Sequence, residues 1–423
     1  MDTTELRRQK QEKLLDLASI YKGLTRKQLA DALGRDQTRL FPPSGNPKLD
    51  YLIRLSDVLD WQVGDVAEAI WARDEARGPE AACKDFELLD DQAKTAHREG
   101  RFQDMLRIAE RMYLIGATAD QRALACHRES GAWDGLGRYL KQLDAVRRGL
   151  SEGPGGADLR LLLRVNLANS YYTLWQPLEA RALAKDLIEH FLDEKPTTRS
   201  ARAAEAFSYY VLGHSERRLM ALEIDRAPVH ARHARRALER SEALYSALAD
   251  EFNHDPWRGI ASTCRGGLIE IAVELGELDA SSAVAQLADG LDSVDSDAGE
   301  PGAAPAAAAL VGDRLESMGW WCIFGCNIAL RKLTGKELQR HMAVFTNKGY
   351  EIADRLDNWA MRERLFTLEY LQRERLNELA GIDVGWTIDS EEVRVIVGTM
   401  GRFPGFRSTG WRILETATVV GEN

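Results

Sequence analysis

The sequence predicts an all-α protein: a small helical domain, a long array of paired helices, and a short irregular or strand-prone carboxy-terminal tail. Three observations carry this. Residues 6–75 hold short helical patterns close together, punctuated by Gly and Pro. From Leu88 to about Leu379, apolar residues recur at helical spacing over long stretches, separated by polar joints such as SEGPGGAD at 151–158 and DEKPTT at 193–198. After Gly381, β-branched residues and glycines replace the Ala/Leu/Glu/Arg mixture.

The amino-terminal elements follow from local chemistry. Thr25 precedes RKQLADALG with Gln28 three residues on, so hydroxyl and amide can satisfy each other's free backbone groups as a capping box. Gly34 then ends that helix. DQTRLF at 36–41 has room only for a short helix, because Pro42 and Pro43 lack the amide donor and crowd the preceding turn. Asn46-Pro47 predicts the next start, a cap residue with Pro at the first helical position. KLDYLIRLSDVL then sets Leu49, Leu52, Leu55, Val58 and Leu59 on one face. Val63, Val66 and Ile70 mark a further helix.

GLTRKQLADALG, RDQTRLF and GNPKLDYLIRLSDVLDWQVGDV together resemble the helix-turn-helix domain of the lambda-repressor/Cro-like (XRE) family, over about a sixth of the chain. The resemblance implies a five-helix domain, residues 1–75, whose third helix lies in the DNA major groove. It would direct Arg35, Gln37, Thr38 and Arg39 at DNA, since Arg and Gln can read guanine and adenine edges, and would set Gln28 beside a phosphate. The chain departs from the family in having fewer residues between Gly34 and Asn46 and in placing two prolines there, which shortens the recognition helix. Residues 1–70 carry 11 Lys/Arg and 11 Asp/Glu, so this domain is neutral and the net charge of -10 belongs to the rest of the chain.

In the long array, AKTAHREGRFQDMLRIAERM at 93–112 reads as a helix pair, with Ala93, Ala96 and Ala109 where helices approach and Gly100 at the turn. RVNLANSYYTLWQPLEARALAKDLIEHF at 164–191 sets Leu167, Ala168, Tyr171 and Ala180 at spacings that resemble the tetratricopeptide pattern, and 264–291 repeats the rhythm with Gly276 at its turn. Residues 319–356 and 359–381 supply further helices with bulky anchors, and 200–256 reads as one long polar-rich helical stretch. SVDSDAGEPGAAP at 293–305 reads as a linker, dividing the array into 88–292 and 306–381, with the tail at 382–423. A tetratricopeptide-like α-solenoid would leave a concave groove suited to peptides or helices.

Five cysteines, at 83, 126, 264, 322 and 326, are the sparse usage of a reducing compartment, and no apolar run suits a signal peptide or a spanning helix. The expectation is a cytoplasmic protein without a membrane partner. Cys322 and Cys326 are i,i+4 among Trp320, Trp321, Ile323 and Phe324, which reads as core thiols. His230 and His233 share a helix face crowded by Arg232, Arg235 and Arg236, which reads as a solvated polar face. Cys126 reads as a core residue beside an exposed His127, and the pairs Asp90-Asp91 and Glu391-Glu392 are ordinary among 66 acidic residues and call for no general-acid chemistry. Arg394, Arg402, Arg407 and Arg412 with Phe403, Phe406 and Trp411 offer either a basic aromatic surface or tail packing on the array.

With no nucleotide loop, metalloprotease motif or nucleophile elbow, the expectation is a non-enzyme without metal or cofactor. The joined architecture resembles the peptide-responsive transcription regulators of bacteria and phages. That implies a sequence-specific DNA-binding homodimer whose repeats sense a peptide, protein or small ligand in their groove. The alternative is a non-enzymatic scaffold whose helix-turn-helix domain docks protein.

Overall fold

The computed structural model describes residues 3–37, 40, 46–71, 85–253, 255–296, 313–380 and 386–420. Among the described residues the structure is helical apart from one small strand pair, and the chain forms two compact units, Met1–Ala82 and Cys83–Asn423.

The first unit holds α1 (Thr3–Lys22), α2 (Arg26–Ala32), α3 (Leu49–Leu59) and α4 (Val63–Trp71). Its core joins Leu14, Leu15 and Ala18 of α1, Leu29, Ala30 and Leu33 around α2, Tyr51 and Leu55 of α3, and Val66 and Ile70 of α4. Two expectations need correction. The α3 helix starts at Leu49 rather than Pro47: Lys48 is the cap residue and gives no side-chain bond, while Asn46 Oδ1 accepts from Arg7 Nη1 at 2.7 Å. Leu49 is 64% exposed, and the deeply buried aromatic of that helix is Tyr51. Leu52, Leu55 and Leu59, at i, i+3 and i+7, hold the core face, and Leu49 at the first helical position lies outside it.

The second unit is a solenoid of helix pairs: α5 (Phe86–Arg98), α6 (Phe102–Ile115), α7 (Ala119–Gly135), α8 (Tyr139–Ser151), α9 (Ala157–Thr173) and α10 (Pro177–Asp193) come first. They are followed by α11 (Arg199–Leu222), α12 (Ala227–Phe252), α13 (Asp255–Glu274), α14 (Ala280–Ser296), α15 (Asp313–Lys332), α16 (Gly335–Arg355) and α17 (Trp359–Ala380). Ala93, Ala96, Ala109, Ala168 and Ala180 are fully buried where helices meet. The tyrosine packed deepest in α9 is Tyr172, whereas Tyr171 is half-buried and accepts a bond from Arg147 Nη2 at 2.8 Å.

One joint recurs along the array. Gly100, Gly137, Trp175, Gly276 and Asp357 each take a left-handed φ of 47–73° just past a helix end. At each, two backbone amides turn back onto the helix, as in Gly137 N–H to Asp134 O and Arg138 N–H to Trp133 O, both 2.8 Å. This is the Schellman closure, which satisfies carbonyls the helix leaves free.

The 200–256 stretch is divided among α11, α12 and the first residues of α13. Glu223 leaves the helical region at φ -117°, ψ 69°, a short 3-10 turn follows at Ile224–Arg226, and Pro228 sits in the first turn of α12. The α11 and α12 helices then fold back on each other so closely that a Cβ on Gly213 would lie 2.5 Å from Leu238 Cδ2. Residues 293–296, read as linker, are the last turn of α14; the remainder of 293–305, and 306–312 after it, lie outside the described residues. The α15 helix packs on both α13 and α14.

Most of the tail is helical. The strand β1 (Trp386–Asp389) pairs in parallel with β2 (Ala417–Val420), and between them run α18 (Ser390–Arg402), a 3-10 turn at Pro404–Phe406 and α19 (Arg407–Thr416). The β-branched run at 393–397 favours strand by composition, but Asp389 and Glu392 form a capping box that starts a helix: Glu392 N–H donates to Asp389 Oδ1 at 2.8 Å and Asp389 N–H to Glu392 Oε2 at 2.9 Å. Ile396, Met400, Phe403, Phe406 and Ile413 then share a core with Tyr139 and Phe366.

Candidate functional site

In the amino-terminal unit, α2 is fixed at both ends. Gln28 N–H donates to Thr25 Oγ1 at 3.3 Å, and Gln28 Oε1 accepts from the Thr25 amide at 2.9 Å, completing the capping box. At the other end Gly34 has φ +62° and its N–H reaches Asp31 O, while Arg35 N–H reaches Ala30 O at 2.9 Å. Thr25→Ala is therefore expected to cost about 1 kcal/mol, and Gly34→Ala about 1–2 kcal/mol for forcing a side chain into left-handed backbone. Faster amide exchange within residues 3–71 of the full chain reads both.

Arg35 leaves the helix at a bend, with Nη2 3.4 Å from Asp50 Oδ2 and its guanidinium 5.8 Å from the Tyr51 ring centre. Gln37 is exposed in a turn. Asp36 and Gln37 are not helical, and the rest of the expected 36–41 helix, including Thr38 and Arg39, lies outside the described residues except for buried Leu40. Arg35 contacts α3 through Asp50 and Tyr51.

The second unit holds a feature that pattern reading missed, a polar seam where α9, α11, α13, α15 and α17 meet. Arg217, 5% exposed, donates from Nη1 to Glu270 Oε2 at 2.7 Å and from Nε to His214 Nδ1 at 3.3 Å, with Phe324 under its guanidinium. Glu270 also takes Arg331 and, at 3.4 Å, Asn327 Nδ2. Asn327 Oδ1 accepts from Arg364 Nη2 at 3.0 Å. Arg364 and Arg218 lie over the Trp175 ring, whose Nε1–H donates to Glu363 Oε2 at 2.8 Å across 188 residues of sequence. Arg218 also donates to the Tyr172 carbonyl. Burial, with the nearby Arg217 and Arg364 charges, pulls Arg218 down to about 10 against the pull of Tyr172, and burial raises Glu363.

Trp175 holds φ 63°, a conformation that costs a bulky residue about 1–2 kcal/mol. Its indole bridge to α17 and the two guanidinium faces offset that strain. The signal in the sequence was GHSERRLM at 213–220, a charged run in mid-helix between apolar turns.

Several candidate residues sit elsewhere than expected. His230 is buried, not on a solvated face: its Nδ1 is 2.6 Å from Glu216 Oε2 and its Nε2 3.2 Å from Glu223 Oε2, because α12 turns that edge onto α11. His233, Arg232 and Arg236 are exposed. His127 is half-buried rather than exposed; its Nδ1 lies 3.1 Å from Asn166 Nδ2, and burial with the Arg128 charge pulls it down to about 4. Asp90 is buried as well, in a packed ion-pair cluster with Arg128 Nε and Lys94 Nζ, each at 2.7 Å. Glu391 and Glu392 pair locally with Arg394 and the Asp389 amide.

Cys126, Cys322 and Cys326 are fully buried free thiols, and burial pushes Cys322 up to about 12. In the tail, Phe403 and Phe406 are core residues, Arg402 lies over the Trp359 ring, Arg407 caps Met400 O, and Arg412 reaches Tyr370. Trp411 is exposed. That arrangement is tail packing.

A cavity of about 370 Å³ opens between the start of α9, the end of α10 and the start of α11, lined among others by Asp158, Arg164, His190, Phe191 and Lys195. Among the described residues no cluster of three His, Cys, Asp or Glu side chains could hold a metal ion, and no helix is long and apolar enough to cross a membrane.

No protein-family model matches the chain, and no curated protein matches it. Among solved structures it is similar to Bacillus thuringiensis PlcR, solved in complex with the peptide PapR7 and DNA, at 13% identity and a TM-score of 0.36 over 66% of this chain and 94% of that one.

Proposed function

We propose that the chain is a sequence-specific DNA-binding transcriptional regulator that works as a homodimer in the cytoplasm, with the solenoid mediating dimerisation and sensing a peptide, protein or small ligand. The observation that carries this reading is α2 itself, a seven-residue helix fixed between a capping box and a left-handed glycine, followed at once by Arg35 and exposed Gln37. Gln28, Arg35, Gln37, Thr38 and Arg39 are the proposed DNA contacts. The Gln28 oxygen is spent on the cap, so its amide nitrogen is the group left for a phosphate. Arg35 pairs with Asp50 at the surface, and an exposed pair of this kind is worth only about 0–1 kcal/mol, so exchanging it for a guanine or phosphate is inexpensive.

In this reading a ligand bound to the solenoid changes operator affinity by favouring one arrangement of the dimer, and the effect is reciprocal. Selection of a random duplex pool at graded salt, followed by sequencing, is expected to enrich a two-fold symmetric motif. Arg35→Ala with Arg39→Ala is expected to weaken binding to that motif by at least tenfold, the scale of about 1–3 kcal/mol per base-reading contact. Equal binding by the variant would remove the proposed recognition surface. No enrichment, together with a stable heteromeric partner, would favour the scaffold.

A further inference from the structure

The cavity between α9, α10 and α11 has walls fixed by completed polar bonds. Asp158, in the first turn of α9, accepts from Thr198 Oγ1 at 2.7 Å and from Ser200 Oγ at 2.6 Å, and Thr198 Oγ1 in turn accepts from the Ala201 amide at 3.1 Å, which starts α11. Arg164 of α9 pairs with Asp186 of α10. Pro196 stiffens the joint between α10 and α11. Three lining residues have no such task. Among the described residues, the side chains of Arg160, Glu194 and Lys195 are exposed and take part in no hydrogen bond or ion pair.

Below these charges the lining is apolar. Leu161, Phe191 and Ala201 are buried core residues of the surrounding helices, and each also borders the cavity. Its volume of about 370 Å³ lies within the range of about 300–1,000 Å³ usual for small-molecule sites, which set a few orienting polar groups around an apolar wall. The unused charges are of both signs. A simple anion would leave Glu194 facing it, and a simple cation would face Arg160 and Lys195, so neither suits the cavity.

We propose that this cavity binds a small zwitterion with an apolar side chain, a free amino acid such as leucine, methionine or phenylalanine or a dipeptide of them. Its carboxylate pairs with Arg160 and Lys195, its ammonium with Glu194, and its side chain lies on Leu161, Phe191 and Ala201. The proposal rests on the reading of the array as a ligand sensor and names the class of ligand.

The test is calorimetric titration and thermal unfolding of the full chain without DNA at about pH 7, where the ligand carries both charges, with leucine, methionine, phenylalanine and leucyl-leucine as probes. At least one is expected to bind and raise Tm; the strongest response separates the sources, a single residue marking a free amino acid and leucyl-leucine a peptide fragment. Analogues of the best probe that lack its carboxylate, its ammonium or its side chain, for leucine these being leucinamide, 4-methylpentanoate and glycine, are expected to bind about fivefold more weakly or worse. Arg160→Gln with Lys195→Gln is expected to weaken binding of the best probe by about tenfold or more and to leave the ligand-free Tm unchanged, because neither side chain is bonded in the fold. Glu194→Gln is expected to weaken binding of that probe but not of its analogue without the ammonium, a split that general damage to the joint would not give. No response to any of the four probes, an equal response to the analogues, or undiminished binding by the double variant would overturn the site. A chain that binds a probe but enriches no DNA motif keeps this site and loses the operator.

Discussion

Glu270→Ala is expected to lower the stability of the Cys83–Asn423 unit by about 3–5 kcal/mol, the scale for breaking a buried ion pair from one side. Glu270 is 2% exposed and is the carboxylate on which Arg217, Arg331 and Asn327 converge from α11 and α15. Its loss strands the Arg217 guanidinium, 5% exposed, against Phe324 with no counter-charge. Urea unfolding of the full chain, followed by the tryptophans of the array, reads the change as a lower midpoint. Two companions separate charge burial from general damage. Glu270→Ala combined with Arg217→Met is expected to recover part of the loss, since an apolar pair of similar volume avoids the stranded cation. Glu251→Ala removes a two-pronged but exposed pair with Arg202, at 2.9 and 2.6 Å, and is expected to cost no more than about 1 kcal/mol. Equal losses from Glu270→Ala and Glu251→Ala would mean that the seam is not what holds α11 to α13 and α15.

That seam also marks the limit of what the sequence can convey. Features set by neighbours within a few residues were legible: the Thr25–Gln28 cap, the Gly34 stop, and the joints at Gly100 and Gly276. The same joint at Trp175 and Asp357 was not, because nothing in a tryptophan announces a left-handed backbone; its φ is fixed by Glu363, 188 residues away. The polar character of 200–256 was visible, but not which of its charges are buried. Whether a mid-helix arginine is wet or buried depends on a partner such as Glu270, 53 residues on, which no local period encodes. His230 failed for the same reason, since Glu216 and Glu223 reach it only after α12 folds back on α11. In the tail a local signal was present but outvoted: Asp389 and Glu392 start a helix through a β-branched run. Among the proposed DNA contacts, Gln28 and Arg35 could be chosen from the motif, but not the pairing of Arg35 with Asp50.

Acidification from about pH 7 to about pH 5 is expected to destabilise Cys83–Asn423 through two histidines held neutral, and the sign follows from linkage. Burial, reinforced by Arg217 and Arg218, depresses His214 well below its ordinary 6.5; burial and Arg128 take His127 to about 4. Between those values and 6.5 the unfolded chain binds protons that the folded chain refuses. The stability is therefore whole above about pH 6.5 and is lost as pH falls toward the folded values. For His127, partly screened by solvent, this amounts to about 2 kcal/mol. The geometry around His214 is stricter. A guanidinium can only donate, so Arg217 Nε at 3.3 Å requires an unprotonated Nδ1 on a ring packed between Tyr210 and Phe324. A proton there would face the Arg217 cation directly. Asp134 acts in the opposite direction, because its raised value makes folding less favourable as pH climbs from about 4 to about 7. The measurement is therefore cleanest in an Asp134→Asn background, where the urea midpoint should fall steeply with acid. His214→Asn keeps an acceptor for Arg217 and cannot titrate, so it should flatten that fall while leaving the midpoint at about pH 8 nearly unchanged. An unchanged slope in His214→Asn would remove this ring from the acid response and leave it to His127 and the carboxylates.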